Sequence, residues 1–406
     1  MPERRVGIVG AGIAGLTLAL ELHDAGIAVD LFEAAPEINE LGVGINILPH
    51  ASKILYELGL EDAMSDIAVL TTNAVFYNRF GQLVFSEPLG KHAGYANPQY
   101  SVHRGKLQRV LYDAVRARIG EVNTGYRVVG AAQDDEGVTL QFADGRPEWR
   151  GEIAVACDGI HSVLRKQLHP GEGAPRYSGV NMWRGVTMWD QVLDGASMIR
   201  AGWLTTGKMV IYPITPPDSE GKQLINWVAE VETPHYRSRD WNRPGEVEDF
   251  IQSFADWQFD WLDVASLIRS TERVLEFPMV DQDPLPFWTD GRLTLLGDAA
   301  HPMVPRGSNG AGQAILDARA LRRHLVATSN WADALVAYEN ERLAATSNVV
   351  LTNRTNPPDA ILRVVYERTG DQPFDELSKF ISNEELQQIS DQYKVVAGYS
   401  KASLVS

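Results

Sequence analysis

The amino-terminal stretch holds the pattern that most constrains the fold of this chain. The apolar run at 6–9 predicts a buried strand, the segment at 16–25 predicts a helix, and 29–32 predicts a second strand that ends at Glu33. The turn between the first strand and the helix reads Gly-Ala-Gly-Ile-Ala-Gly at 10–15. The sequence therefore predicts a complete βαβ unit, of the kind that binds a dinucleotide at a helix start.

The glycines of this turn each meet a different physical demand. Gly10 permits the tight turn, Gly12 lets the backbone approach a pyrophosphate, and Gly15 lets the helix pack closely on the strand. Glu33 is placed to accept hydrogen bonds from ribose hydroxyls. By itself the motif fits NAD as well as FAD, so the choice depends on the rest of the chain.

A second strand, loop and helix unit follows near residue 300. Residues 293–296 are apolar, Gly297-Asp298 ends the strand, and helical periodicity resumes at Ala311. Asp298 can accept a hydrogen bond from a sugar-like hydroxyl, while backbone N–H groups at 309–312 face the helix mouth. A flavin offers both partners, a ribityl chain and a ring edge that becomes anionic on reduction. A simple turn cap is the alternative for Asp298.

A third segment, at 155–165, joins an apolar strand to a polar turn. Asp158 and Arg165 can form an ion pair across the helix start or contact a cofactor directly, and both alternatives stay open. Cys157 is most simply a buried small hydrophobe.

Together these segments resemble the motifs of the aromatic-ring hydroxylases, the single-component FAD monooxygenases related to para-hydroxybenzoate hydroxylase. The matches run from residue 6 to about residue 350. Within that family, the sequence is most similar to the phenazine-modifying monooxygenases in three segments, 41–47 (beginning at Leu41), 182–186 and 307–311. The resemblance implies an α/β fold, with a Rossmann-like, glutathione-reductase-like FAD-binding domain that carries an inserted antiparallel β-sheet substrate domain.

The resemblance also implies the chemistry. The chain has no second Gly-x-Gly-x-x-Gly unit, so NAD(P)H is expected to reduce noncovalent FAD and leave. Reduced FAD then forms a C4a-hydroperoxide with O₂ and hydroxylates a planar aromatic or N-heteroaromatic substrate, with or without decarboxylation. The alternatives are another flavoenzyme on this scaffold, namely a reductase or halogenase, and a non-catalytic flavin-binding protein. The sequence contains no Trp-x-Trp-x-Ile-Pro segment, and this disfavours a halogenase.

The family motifs assign the flavin contacts residue by residue. Pro305 is expected over the reactive side of the flavin ring, no residue is assigned a catalytic role, and His301 fits packing beside the cofactor or a general base. The expected cofactor-binding residues are Gly10, Gly12, Ala14, Gly15, Glu33, Val43, Arg104, Val128, Asp158, Asp298, Gly310 and Ala311.

From about residue 178 the chain becomes β-rich and aromatic, which predicts neighbouring antiparallel strands at 180–188, 209–213 and 224–231. Arg184 lies between apolar neighbours, so it needs an aromatic carboxylate or several carbonyl groups as partners. Aromatic side chains on a half-buried sheet are most often core, which is the alternative for each tryptophan. The candidate substrate residues are His50, Trp183, Arg184, Tyr212, Asn226 and Trp227.

These patterns divide the chain into three parts. The expected FAD-binding domain comprises 1–72, 97–177 and 271–352, and the substrate domain 73–96 and 178–270. A helical tail at 353–406 is expected to cover the cofactor domain or to form a dimer contact.

Several further elements complete the expected organisation. They are a hairpin at 74–77 and 83–86, strands at 126–132 and 137–142 that lead into the strand before Asp158, and helices at 106–119, 247–261 and 331–348.

Composition narrows the partners. A formal net charge of −16 disfavours nucleic acid, which requires clustered Lys and Arg. The single cysteine excludes an intrachain disulfide, a redox cysteine pair and a multi-thiolate metal site. No apolar run reaches membrane-spanning length, and Met1 is followed directly by a polar stretch and a strand, so we expect a cytoplasmic monomer or homodimer with no membrane contact.

Overall fold

The computed structural model describes residues 4–38, 42–233 and 243–405. Leu41, the first residue of the segment 41–47, lies outside these ranges. The strands are β1 (Arg5–Val9), β2 (Ala28–Glu33), β3 (Gly44–Ile47), β4 (Ala68–Leu70), β5 (Asn73–Tyr77), β6 (Leu83–Pro88), β7 (Tyr100–His103), β8 (Asn123–Thr124), β9 (Val128–Gln133), β10 (Val138–Phe142), β11 (Trp149–Gly151), β12 (Ile153–Ala156), β13 (Arg176–Asp190), β14 (Met198–Trp203), β15 (Gly207–Pro213), β16 (Lys222–Glu232), β17 (Arg243–Pro244), β18 (Gln258–Phe259), β19 (Leu262–Asp263), β20 (Leu275–Asp281), β21 (Thr289–Asp290) and β22 (Leu293–Leu295). The helices are α1 (Ile13–Asp24), α2 (Pro49–Glu57), α3 (Glu61–Ile67), α4 (Arg104–Arg118), α5 (Val163–Leu168), α6 (Val264–Arg269), α7 (Gly310–Ala327), α8 (Trp331–Thr355), α9 (Ala360–Thr369), α10 (Asn383–Val396) and α11 (Lys401–Val405).

The expected FAD-binding domain is built on a sheet, called the cofactor sheet below, in the order β21-β22-β12-β1-β2-β8. Its central strands β22, β12, β1 and β2 run parallel, and only the edge strand β21 is antiparallel. Their apolar runs are buried because α1 and α7 pack together over the sheet. This arrangement confirms the predicted βαβ unit and the predicted strand and helix around Asp298.

The strands predicted at 126–132 and 137–142 exist as β9 and β10. They pair with β11 in a separate three-stranded antiparallel sheet, so they lead toward β12 through β11. The helix predicted at 106–119 is α4, which begins two residues earlier, at Arg104.

The expected substrate domain contains an eight-stranded sheet, called the substrate sheet below, in the order β17-β20-β13-β16-β15-β14-β5-β6. The predicted hairpin is β5–β6, and the three predicted neighbouring strands are β13, β16 and β15, with β16 in the middle. The sheet extends beyond the expected boundary at 270, because β20 pairs with β13 as far as Asp281.

The α-helix predicted at 247–261 is wrong. The segment forms two 3₁₀ turns and the start of a short hairpin. Phe250, Phe254 and Trp257 have helical spacing, but their rings pack as one aromatic cluster against the outer face of the sheet, including Trp183 and Trp227. Tertiary packing of large rings has overridden the local period.

The carboxy-terminal tail covers the substrate sheet. Ile361, Leu362 and Val365 of α9 and Leu386 of α10 share a buried cluster with Phe76 and Phe85 of β5 and β6. The expectation that the tail covers the cofactor domain is therefore only partly right, since its main apolar contact is with the other domain. No helix in the described ranges is long and apolar enough to cross a membrane.

The turn at 10–15 allows a direct test of what each glycine does. A Cβ at Gly15 would lie 1.9 Å from the carbonyl oxygen of Gly10, whereas one at Gly12 would meet nothing within 4 Å. We expect Gly15→Ala to lower the free energy of unfolding of the apoprotein by about 3 kcal/mol. Gly12→Ala is expected to cost at most about 1 kcal/mol, the effect of alanine at a helix N-cap.

Urea denaturation of both apoproteins measures this difference. Equal stabilities of the two variants would contradict the separate roles of the two glycines.

Candidate cofactor and substrate site

Four polar or turn positions meet at one edge of the cofactor sheet. Gly10, Glu33, Asp158 and Asp298 follow or end the neighbouring strands β1, β2, β12 and β22. Because the carboxyl ends of parallel strands lie at the same edge, the fold gathers residues from three distant stretches of sequence. This edge is where an open α/β sheet binds its ligand.

The first wall of the site is the start of α1. Gly10 has φ +101°, and a Cβ there would lie 2.5 Å from the carbonyl oxygen of Cys157, so only glycine fits. Gly12 caps the helix without any side-chain hydrogen bond and faces open space. The N–H groups of the first helical turn are thus available to an anion such as a pyrophosphate.

Glu33 is held at the end of β2 by two backbone donors. Its Oε2 accepts from the N–H of Ala11 at 2.8 Å, and its Oε1 accepts from the N–H of Ala35 at 2.8 Å. The carboxylate is therefore fixed beside the glycine turn, with lone pairs left for ribose hydroxyls. Ala14, in the first turn of α1, lies close to Gly297, where a Cβ would be 3.2 Å from the Ala14 methyl carbon.

The carboxylate of Asp298 is exposed beside the start of α7. It makes no hydrogen bond to any described residue, and the surrounding protein atoms raise its pKa through desolvation. Gly310 opens α7 beside it, where a Cβ would lie 3.8 Å from Asp298 Oδ1. Ala311 is the next residue of that helix start. The side chain of Asp298 thus does not cap the turn.

Asp158 has one satisfied and one orphaned oxygen. Its Oδ2 accepts from the N–H of Val163 at 3.0 Å, whereas its Oδ1 is buried without a partner, and burial raises the pKa of the carboxyl group. The ion pair considered between Asp158 and Arg165 does not form. Arg165 instead pairs with Glu172 (Nε to Oε2, 2.8 Å), and its NH1 donates to the carbonyl oxygens of Ala299 and Ala300 at 2.9 Å.

His301 belongs to a buried ionic network. Its Nε2 lies 2.6 Å from Asp317 Oδ2, and Arg342 Nε donates to Asp317 Oδ1 at 2.7 Å. Asp317 Oδ2 also accepts from the N–H of Gly297 at 3.2 Å. Burial raises the pKa of Asp317, but His301 and Arg342 outweigh that effect and lower it. His301 and Asp317 therefore connect the loop after β22 to α7. The sequence analysis did not predict this contact. The acidic residue on the apolar face of α7, Asp317, was the signal that could have indicated it.

Of the remaining residues expected to contact the flavin, Arg104 and Pro305 are exposed to solvent and Val128 is buried. Arg104 is exposed at the start of α4, and its N–H donates to the carbonyl oxygen of Val43 at 3.0 Å. Pro305 is exposed and begins a 3₁₀ turn in the loop between Asp298 and α7. Val128, in contrast, is 5% exposed within the core, so its side chain offers no contact surface.

Three of the substrate candidates converge on Gly44. Asn226 Oδ1 accepts from the N–H of Gly44 at 2.7 Å, and Arg184 NH2 donates to its carbonyl oxygen at 3.0 Å. Tyr212 lies so close that a Cβ at Gly44 would be 2.7 Å from its ring. The carbonyl partner considered for Arg184 is thus present. Arg184 Nε and Asn226 Nδ2 nevertheless remain buried without partners in the described part of the chain.

The two tryptophans lie on the opposite face of the sheet. Trp183 stacks on Phe250, with ring centroids 4.8 Å apart, and Trp227 Nε1 donates to Thr271 Oγ1 at 2.9 Å. Because side chains alternate between faces along a strand, Trp183 and Trp227 point away from the face that carries Arg184 and Asn226. The structure thus gives both indoles the core position left open above.

His50 joins the start of α7 instead of the sheet. Its Nε2 lies 3.2 Å from Asn309 Oδ1, and its ring packs near Tyr399 of the tail. Burial, followed by the charge of Arg342, lowers its pKa to about 4. His50 is consequently a neutral imidazole near neutral pH, so it cannot pair with a substrate carboxylate as a cation.

The residues present fit FAD. Open backbone donors at two helix starts suit a pyrophosphate and an anionic ring edge. Glu33 and the free carboxylate of Asp298 suit ribose and ribityl hydroxyls. The buried orphaned atoms Asp158 Oδ1 and Asn309 Nδ2 show that this edge lacks hydrogen-bond partners which a ligand can supply.

Comparisons with known proteins agree with this geometry. Residues 3–353 match the family model described as FAD binding domain. The chain is 42% identical over 359 residues to a phenazine 1,6-dicarboxylic acid hydroxylase of Lysobacter antibioticus, covering 86% of this chain and 88% of the relative. It is 32% identical to a 6-hydroxynicotinate 3-monooxygenase of Bordetella bronchiseptica, covering 87% and 91%.

The crystal structure of Klebsiella pneumoniae HpxO with FAD and uric acid superimposes with a TM-score of 0.77 at 25% identity, covering 98% of this chain and 97% of that one. The family match ends at residue 353, whereas the superposition on HpxO covers 98% of the chain. The chain belongs to the FAD-dependent, single-component aromatic-ring monooxygenases.

Proposed function

We propose that this enzyme hydroxylates a planar, nitrogen-containing aromatic carboxylic acid, with NAD(P)H and O₂ as co-substrates. The observation that carries the proposal is Arg184. This cation lies on the face of the substrate sheet opposite Trp183 and Trp227, called the inner face here, and its Nε is buried without a hydrogen-bond partner. Burial lowers the pKa of Arg184, a hydrogen bond with the Tyr212 side chain favours its charged form, and no described carboxylate forms an ion pair with it. An anion would stabilise this largely desolvated cation beyond what the Gly44 carbonyl provides, and a substrate carboxylate would supply it.

The residues around Arg184 suit a flat ring. Met182, Val210, Val228 and Met279 form an apolar cluster on this inner face, together with Val304 of the flavin loop. Bound FAD, once reduced, supplies the activation of O₂. The apolar cluster would exclude water and present the ring, while Arg184 would fix its orientation.

Relatives support this substrate class. The relative from Lysobacter antibioticus is named for an aromatic dicarboxylic acid, and the one from Bordetella bronchiseptica for a hydroxylated nicotinate. Both names denote nitrogen-containing aromatic acids. We infer that oxygen is added at the ring carbon that bears the carboxylate, with release of CO₂, or at its neighbour.

The first prediction concerns the cofactor. Asp298→Ala should weaken FAD binding by about 1.5 to 3 kcal/mol, the usual contribution of a hydrogen bond to a charged group. Because desolvation raises the pKa of Asp298, and the ionised form is the better acceptor, FAD affinity should fall as pH drops through that pKa. Fluorescence titration of apoprotein with FAD measures both effects. A pH range of about 4.5 to 8 covers values on both sides of a raised carboxyl pKa.

Asp298→Asn should remove this acid-side loss of affinity, and the exposed control Asp135→Asn should retain it. Wild-type FAD affinity in Asp298→Ala would overturn the role given to this carboxylate.

The second prediction tests the substrate. Incubation with NADPH, ¹⁸O₂ and a panel of aromatic acids and their decarboxylated analogues should label products of the acids, with CO₂ release reporting the position of attack. Arg184→Gln should raise KM for the acids by about tenfold to a hundredfold, as expected for loss of a charged pair.

Two controls separate substrate binding from support of Gly44. Neutral analogues should show the same KM in Arg184→Gln and wild type, because they have no carboxylate to pair with Arg184. Damage to the loop at Gly44 would instead raise the KM for both ligand types. Trp183→Phe should leave all KM values unchanged, since its ring lies on the other face and its Nε1 donates to no described residue. Undiminished activity of Arg184→Gln on an acid would contradict the proposal.

A further inference from the structure

The flavin loop, residues 297–309, joins β22 to α7 and carries Asp298 and Pro305. Ser308 in this loop has φ +52°, a left-handed conformation that is uncommon for a residue with a side chain. Backbone in such a conformation persists only where the surrounding structure holds it. The contacts that hold this loop therefore determine where Pro305, the residue expected over the flavin ring, lies.

Tyr393 of α10 contacts the flavin loop through its hydroxyl group. The hydroxyl donates to Asn353 Oδ1 at 2.8 Å, and Asn353 Nδ2 donates to the carbonyl oxygen of Val304 at 3.3 Å. A Cβ at Gly307 would overlap the Tyr393 hydroxyl oxygen, so the hydroxyl lies directly against the backbone at that position. These two contacts fix the loop on either side of Pro305.

Burial makes the contacts of this hydroxyl hard to replace. Tyr393 is 2% exposed and Asn353 is 0% exposed, so water does not compete for either side chain. Burial, followed by the charge of Asp359, raises the pKa of Tyr393, and the hydroxyl therefore remains a donor near neutral pH. Without it, Asn353 Oδ1 would be a buried acceptor that has lost its donor, which is costly.

A second set of contacts joins the same tail to the start of the loop. Gln313 Nε2 donates to the carbonyl oxygen of Ala397, just after α10, at 3.0 Å, and Gln313 Oε1 accepts from Arg342 NH2 at 2.6 Å. Arg342 also binds Asp317, which accepts from the N–H of Gly297. The end of α10 is thus connected to both the start and the middle of the flavin loop.

We propose that Tyr393 is a positioning residue for the flavin, because its hydroxyl fixes the loop that carries Pro305 through Asn353 and Gly307. The carboxy-terminal tail, which lies outside the expected FAD-binding domain, then sets the geometry in which oxygen reaches the substrate ring. When this geometry is lost, NADPH, O₂ and a proton yield NADP⁺ and hydrogen peroxide, and the substrate is left unchanged. This inference does not depend on which aromatic compound is the substrate.

The experiment removes only the hydroxyl, with Tyr393→Phe, and compares FAD-loaded enzymes. Hydrogen–deuterium exchange of peptides that cover 304–309 should become about fivefold faster, the effect of losing one buried hydrogen bond. The visible circular-dichroism spectrum of the bound flavin should change, because the loop lies differently against the ring. With a substrate that wild type hydroxylates, the yield of product per NADPH consumed should fall severalfold, while the KM for that substrate stays unchanged.

Two further variants make the result specific to the loop. Tyr100→Phe also removes a buried tyrosine hydroxyl, but that hydroxyl lies 2.5 Å from the hydroxyl of Tyr56 and forms no hydrogen bond with the described residues of the flavin loop. It should retain wild-type exchange at 304–309, flavin spectrum and product yield. Asn353→Asp keeps an oxygen that accepts from Tyr393 but loses the amide that donates to Val304, so it should reproduce the changes of Tyr393→Phe.

Unchanged exchange at 304–309 or an unchanged flavin spectrum in Tyr393→Phe would overturn the inference. Equal changes in Tyr100→Phe would also overturn it, since they would indicate a general loss of stability. Exchange and the flavin spectrum require no substrate, so both still test the role of Tyr393 if no aromatic acid is hydroxylated and the proposed function fails.

Discussion

The site depends on the close approach of backbone segments at the carboxyl edge of four parallel strands. Gly10 lies against the carbonyl oxygen of Cys157, and Gly15 lies against that of Gly10, so α1 starts in direct contact with the sheet. Any side chain at these positions would push the helix away and remove its N–H groups from the edge. The acidic residues that follow β2, β12 and β22 can share one ligand only because this contact keeps the edge narrow.

Gly44 couples that edge to the second domain. Its N–H and carbonyl oxygen are taken by Asn226 and Arg184, and the ring of Tyr212 closes the remaining space. The substrate sheet is thus fixed to a backbone segment next to Val43 and Arg104, without relying on flexible side-chain pairs. Paired backbone groups that are buried hold their geometry firmly, since breaking them leaves costly unsatisfied atoms. A substrate over the sheet therefore has a defined position relative to the cofactor edge.

Sequence reasoning predicted the parts that depend on local pattern. The βαβ unit, the start of α7 at Gly310, and the strands β13, β15 and β16 follow from periodicity and turn residues. The face of the sheet on which Trp183 and Trp227 lie depends on which face packs against the rest of the protein. The 3₁₀ turns near Phe250 depend on the packing of aromatic rings. Neither feature follows from the local sequence. The partners of Arg165 and His301 were likewise out of reach, because Glu172 and Asp317 become neighbours only in the folded chain.

Buried charge distinguishes the two faces of the substrate sheet. The outer face packs aromatic rings and aliphatic side chains, which stabilise the fold without electrostatic cost. The inner face carries Arg184, Arg200, Lys208 and Glu230, and Asp359 at the start of α9 packs against it, although apolar residues of similar volume would often be at least as stabilising there. Arg200, Lys208, Glu230 and Asp359 form buried ion pairs, so removal of any one of them would leave an uncompensated charge. These pairs lie beside an apolar cluster that contains Met182, Val210 and Val228 and also Val304 of the loop between Asp298 and α7. The outer face is therefore stabilised by apolar packing, whereas the inner face combines paired charge with apolar contacts to that loop.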